Sequence, residues 1–107
     1  MELFHPDIRI QQPDSLPHGG WHRGLEGMRQ MGTEFARHWE RTIRDPRILA
    51  CGSTVVQVTT QEWTAIATGR SATVDVVELF AFSGGLISEI RVFQQDTHLL
   101  MQTQEPA

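Results

Sequence analysis

The sequence contains no lysine, no tyrosine and no asparagine. All nine positive charges are arginine, a composition that resembles coding by a GC-rich bacterial genome more than a functional device. Set against thirteen acidic residues they leave a formal charge of −4. With no basic stripe to meet phosphates, nucleic acid is excluded as a partner. A single cysteine, Cys51, rules out an internal disulfide and reads as a small core residue. No segment approaches the length of a membrane span, so no membrane partner is expected. Met1 to Pro6 has an acid at its second position and no apolar run of the signal-peptide kind, which makes a cytoplasmic location the expectation. Repeats, low-complexity tracts and linkers are also missing. The 107 residues therefore form one domain, residues 1–107, with one core.

What is present is β-rich. His5 to Gln12 alternates at Ile8 and Ile10 and predicts a short strand. Pro13 to Arg23, with Pro13, Pro17, Gly19 and Gly20, predicts a loop. From Gly24, the residues Leu25, Met28, Met31, Phe35, Trp39 and Ile43 recur at helical spacing and predict one apolar face. Arg37, His38 and Arg41 fall on the polar face, Glu40 and Arg44 form an i,i+4 pair, and Asp45-Pro46 ends the helix. Arg47 to Cys51 predicts a short strand and Thr54 to Thr68 a long one, with Gly52-Ser53 and Gly69-Arg70 as turns. Thr73 to Asp96 reads as two strands joined at Ser83-Gly84-Gly85, each apolar on both faces and each carrying a carboxylate. Asp96 to Met101 predicts a final helical turn, and Gln102 to Ala107 a frayed tail. One helix against strands joined by tight turns is an α+β arrangement.

Three groups of residues carry a resemblance to a known family. They are Phe4-His5-Pro6-Asp7-Ile8-Arg9-Ile10; then Gly20-Trp21-His22-Arg23-Gly24-Leu25-Glu26-Gly27 with Phe35 and Trp39; and Thr68-Gly69-Arg70, Gly84-Gly85-Leu86-Ile87-Ser88-Glu89 and Arg91-Val92-Phe93 with Asp96. Over Leu3 to Met101 the chain resembles a SnoaL-like domain of the nuclear transport factor 2-like superfamily. The resemblance implies a cone: a strongly bent, mostly antiparallel sheet wrapped around one main helix. It also implies N-terminal helices ahead of the His-Pro-Asp segment, which here are short or missing, leaving room for one turn. An apolar sheet face left open would exceed what a monomer tolerates, so a homodimer closed through the convex face is expected.

The resemblance also sorts the hairpin. Val74, Val76, Glu78, Phe80 and Phe82 share one face, as do Ile90, Val92, Gln94 and Asp96. By similarity to the ketosteroid isomerases of the same superfamily, these sets face the concave pocket. Glu78 then lies among Phe80, Phe82 and Val92, where desolvation would raise its pKa; the alternative is an edge or interface glutamate paired with an arginine. Asp96 matches the last-strand position where SnoaL-like polyketide cyclases place an acid–base carboxylate; the alternative is an N-cap for the turn that follows. If the turn centres on Gly84, Glu78 faces a residue near Ile90 and Asp96 lies six positions further on, roughly 20 Å at about 3.3 Å per residue, too far for a dyad. The steroid isomerase base position falls near Gln12, which cannot abstract a proton, and its tyrosine has no counterpart.

The remaining polar candidates are few. His18 and His22 stand at a metal-ligand spacing, but Gly19-Gly20 between them argues against a helix and no further ligand completes a set, so no metal is expected. His22 could face the pocket mouth beside Trp21 as a base near neutral pH, or remain an exposed loop residue. His38, on the polar helix face, is expected in solvent.

The expected chemistry is cofactor-free. A hydrophobic, polyketide-like small molecule would undergo acid–base cyclisation, isomerisation or dehydration. Asp96, Glu78 and His22 would be the catalytic groups, with Gln12, Trp21, Trp63, Phe80, Phe82, Val92 and Gln94 binding substrate. A non-catalytic ligand-binding or assembly module on the same cone is the competing reading.

Overall fold

A computed structural model describes residues 3–106. The turn expected ahead of the His-Pro-Asp segment falls on Met1 and Glu2, outside the described residues. The chain runs β1 (Phe4–Gln12), β2 (Gly20–Arg23), α1 (Gly24–His38), β3 (Trp39–Cys51), β4 (Thr54–Ala65), β5 (Ser71–Ser83), β6 (Leu86–Gln94) and α2 (Thr97–Gln102). The six strands form one sheet in the order β2-β1-β6-β5-β4-β3. Every neighbouring pair is antiparallel except β1 and β6, which run parallel. This is the α+β cone expected above, with the sheet curled around α1.

The strand register assigns the two faces. Across the sheet Ile10 meets Ile90, Ile90 meets Phe80, Glu78 lies between Val92 and Gln57, and Val74 and Ala72 oppose Gln61 and Trp63. These residues point to the concave side, where the core gathers Ile8, Ile10, Leu16, Trp39, Trp63, Val74, Val76, Ile90, Val92 and Leu100. Helix α1 contributes Leu25, Met28, Met31 and Phe35 to the same core. The two fully buried indoles dominate the packing: at about 25 cal/mol per Å² and roughly 200 Å² each, burying Trp39 and Trp63 is worth on the order of 5 kcal/mol apiece before entropy. On the convex side the register aligns Arg91, Leu79, Val56 and Leu49 in one row and Phe93, Val77 and Val58 in the next.

The helix is shorter than its periodicity predicts. It stops at His38, and Trp39 opens a thirteen-residue strand that pairs residue by residue with β4. Trp39 is buried as expected, but as a strand residue; Ile43 is half exposed. Glu40 and Arg44 therefore never form a helical pair, and Arg44 instead reaches Glu62 on β4 at 3.2 Å. Three ties hold the chain to this course. The indole Nε1 of Trp39 donates to Thr103 Oγ1 at 2.8 Å, and the carbonyl of His38 accepts from the Ile66 amide and the Gln104 side chain. Asp45-Pro46, expected to end a helix, instead forms a bulge between Arg44 and Arg47, with Asp45 at φ 52°.

Four smaller expectations also change. The loop after β1 ends in a strand: β2 pairs Arg23, His22, Trp21 and Gly20 with Arg9 to Gln12. Cys51 is exposed at the end of β3 and is no core residue. His38 is half-buried and bonded to Glu34 at 3.2 Å. The chain after α2 is tied down, since Thr103 is buried and Arg70 donates to the Glu105 carbonyl at 2.7 Å; Ala107 lies outside the described residues. No helix among the described residues is long and apolar enough to cross a membrane.

Candidate functional site

Between α1 and the concave sheet lies a cavity of about 80 Å³. Its apolar wall is Met31, Phe35, Trp63, Val76 and Val92, and its polar groups are Gln12, His18, Arg41, Gln61, Glu78 and Gln94. Each side chain is placed by an element already described. Trp63 and Gln61 come from β4, where the Trp63 Nε1 donates to Gln61 Oε1 at 2.9 Å and Gln61 Nε2 donates to Thr59 Oγ1 at 2.9 Å. That relay satisfies three buried polar groups and locks Trp63 as a wall.

Glu78 stands on β5 opposite Val92. Ser88 is an extra residue in β6, because the register passes from Ala81–Glu89 to Phe82–Ile87; this bulge moves the partner of Glu78 by one residue, from Arg91 to Val92. Burial pushes the Glu78 carboxyl above the usual carboxylate range, and the charge of Arg41 partly offsets that rise. Arg41 is exposed as a residue, but its guanidinium sits over the Phe35 ring, 4.8 Å from the centroid. Burial lowers the Arg41 pKa and Glu78 raises it, so the two groups attract one another across the cavity without forming a direct salt bridge.

His18 is enclosed as fully as Gln61, 3% exposed. Its ring packs edge-on to Phe35 at 5.3 Å and lies 6.1 Å from Trp39 and 5.9 Å from Trp63. Desolvation lowers its pKa to about 4, with the charges of His22, Arg41 and His38 acting in the same direction and Glu34 opposing. The imidazole is therefore neutral at physiological pH. The loop that carries it is built on close approach: Leu16 N–H donates to the Pro13 carbonyl at 3.1 Å and Gly19 N–H to the Leu16 carbonyl at 2.9 Å. A Cβ at Gly19 would stand 2.4 Å from the Pro13 carbonyl oxygen.

Of the residues expected at the site, Glu78, Gln12, Trp63, Val92 and Gln94 line the cavity. The others stand elsewhere. Asp96 is exposed and caps α2, accepting from the Leu99 amide at 3.0 Å, which is its alternative role. His22 holds the loop, bonding the His18 carbonyl at 2.7 Å. Trp21 is half exposed beneath the Arg9 guanidinium. Phe80 packs against the core without lining the cavity, and Phe82 is exposed next to the hairpin bulge. Arg41 and His18 were not among the expected site residues. Arg41 was hidden by the overlong helix, which put it on a polar face. His18 invited only the metal question; among the described residues, no group of three histidines, cysteines or carboxylates stands close enough to hold an ion.

The SnoaL-like domain family model matches residues 1–90. The chain belongs to the SnoaL-like domain family. Among curated proteins no relative matches it. Solved structures agree on the SnoaL-like fold. An NTF2-like protein from Burkholderia thailandensis E264 is 23% identical with a TM-score of 0.90, over 99% of this chain and 82% of that one. TerC, co-crystallised with polyporic acid, is 22% identical with a TM-score of 0.85, over 95% of this chain and 80% of that one. A putative SnoaL-like polyketide cyclase from Jannaschia sp. CCS1 is 16% identical with a TM-score of 0.78, over 99% and 76%.

Proposed function

We propose that this SnoaL-like protein is a cofactor-independent acid–base enzyme acting on the carbonyl-bearing end of a hydrophobic, polyketide-like molecule. The observation that carries the reading is Glu78: a carboxyl with a raised pKa, held in an aromatic-walled cavity across from an arginine. Its carboxylate form would take the proton from a carbon next to the substrate carbonyl, the C–H electrons passing into the enolate. Arg41 would meet the charge that develops on the enolate oxygen. The protonated Glu78 would then return the proton to carbon or to a departing oxygen, giving isomerisation or dehydration; attack of the enolate carbon on a second carbonyl would give cyclisation. Asp96, as a cap on the surface, has no part in this scheme. The names of the solved relatives, a putative polyketide cyclase and a putative isomerase, support the class, as does a relative co-crystallised with polyporic acid.

The cavity is smaller than a multi-ring substrate, since drug-sized ligands occupy roughly 300 Å³ or more. It would receive only the reacting end. The same fact favours a second reading, a binding module that holds a hydrophobic ligand without turning it over. The convex rows of Leu49, Val56, Leu79, Val58, Val77 and Phe93 support the homodimer, which would work in the cytoplasm.

Deuterium exchange tests the chemistry. The wild-type protein should speed uptake of deuterium from D2O beside the carbonyl of an aryl ketone such as propiophenone. Glu78→Gln should lower that rate about 100-fold or more. Equal rates for the two proteins would refute the catalytic role of Glu78 and leave the binding module.

A further inference from the structure

Two polar atoms in the cavity wall are without a partner. His18 Nδ1 and Gln94 Oε1 are buried, and no group among the described residues lies within hydrogen-bonding reach of either. Both residues line the same cavity. Native proteins rarely leave buried polar atoms unpaired, because each one costs its full desolvation penalty. Their neighbours in the wall do not behave this way: Gln61 and Trp63 are satisfied by one another and by Thr59. In the same wall, His18 and Gln94 each keep one buried polar atom that the protein does not pair.

The chemistry of these atoms narrows what can meet them. Gln94 Oε1 only accepts, so it needs a ligand hydrogen. A neutral imidazole nitrogen accepts in one tautomer and donates in the other. A hydroxyl has one hydrogen and an accepting oxygen, so it meets both atoms when Nδ1 carries the imidazole proton: Nδ1–H donates to the hydroxyl oxygen, and the hydroxyl hydrogen goes to Gln94 Oε1. An ether brings no hydrogen, and a ketone brings one only in its enol form. A carboxylate brings none either and adds negative charge beside Glu78, and an ammonium group would face Arg41. The rest of the wall is aromatic and aliphatic, which suits a ring carrying the hydroxyl. At about 80 Å³ the cavity is roughly half the size of an engineered 150 Å³ cavity that encloses benzene, so the hydroxyl-bearing edge enters and the ring is not fully enclosed.

We infer that the cavity takes a neutral hydroxylated aromatic ligand, a phenol or an enol, and that His18 Nδ1 and Gln94 Oε1 are its polar anchors. This deepens the reading of the cavity as the ligand site, and rests on it. It does not require Glu78 to transfer a proton.

The test uses phenol and anisole, which share a ring and differ in the hydroxyl hydrogen. Binding to the intact protein is followed by NMR titration, with the His18 Nδ1 nitrogen shift as a second readout. Phenol should bind about tenfold tighter than anisole and move the His18 nitrogen signal. His18→Phe, which keeps a ring among Phe35, Trp39 and Trp63, should bring the ratio close to one. Gln94→Leu should reduce the ratio in the same direction. Equal affinity for phenol and anisole in the wild type would overturn the inference while leaving the cavity as a ligand site. A retained preference in His18→Phe would overturn the anchoring role. Binding of neither compound would sink both the inference and the site. Where His18→Phe does not fold, the wild-type ratio and nitrogen shift decide alone. A Glu78→Gln protein that keeps the phenol preference and loses ketone exchange separates binding from proton transfer.

Discussion

His18 makes the stability of this protein depend on pH in a window where few side chains titrate. In the unfolded chain its imidazole has a pKa near 6.5; in the folded protein burial lowers this to about 4. Above about pH 6.5 neither state binds a proton at this site, and stability does not change with pH on its account. Between 6.5 and 4 the unfolded state binds the proton and the folded state does not, so stability falls as pH falls. The fall from 6.5 to about 4, at about 1.36 kcal/mol per tenfold change in proton affinity, amounts to about 3 kcal/mol lost by pH 4. The perturbation is His18→Phe, which removes the titrating group and keeps an aromatic ring. Urea unfolding of both proteins from pH 7.5 to 4 isolates the term, because carboxylates and other histidines contribute alike to both curves. The wild type should lose about 3 kcal/mol relative to the variant across that window. A difference that stays flat from pH 7 to pH 4 would show that His18 is not held neutral, and would remove the buried-imidazole picture of the site.

Other expectations concern single positions. Asp96→Ala should cost about 1 kcal/mol in urea unfolding through loss of the α2 cap, and leave phenol binding as it was. Gly19→Ala should destabilise by more than about 2 kcal/mol, because the new Cβ meets the Pro13 carbonyl and must push apart the loop that holds His18; a thermal melt unchanged within a degree would contradict this. Sedimentation at micromolar concentration should give a dimer for the wild type and a monomer for Leu79→Arg, whose charge falls in the middle of the convex apolar rows. A wild-type monomer would end that proposal.

Much of the fold was legible because period-two alternation and glycine turns are local signals. Ile8 and Ile10 located β1, Gly84 and Gly85 adopt the positive φ of 58° and 79° that joins β5 to β6, and Asp96 caps the helix that follows it. The facing of Glu78, Val76 and Val92 also followed from alternation, once the concave side was assigned by resemblance. The failures came where two periods overlap. Trp39 and Ile43 continue the helical spacing of α1 by coincidence, while pairing with β4 holds both in a strand. The bulge at Ser88 left no mark in the sequence, and it moved the residue facing Glu78 along β6.

The sequence by itself determined the class of fold and which residues share a strand face with Glu78, because these depend on which residues alternate and where the chain can turn; the family and the concave side came from the resemblance of its motifs. It could not show that Arg41 and His18 share a cavity with Glu78. They come from a strand after α1, from the loop after β1 and from β5, and only the folding of the sheet around the helix brings the three together. The properties that matter for chemistry arise from that assembly: the raised carboxyl, the neutral imidazole and the guanidinium held over Phe35 owe their character to burial and to one another. Desolvation is a property of the enclosing walls, and walls exist only in the tertiary structure.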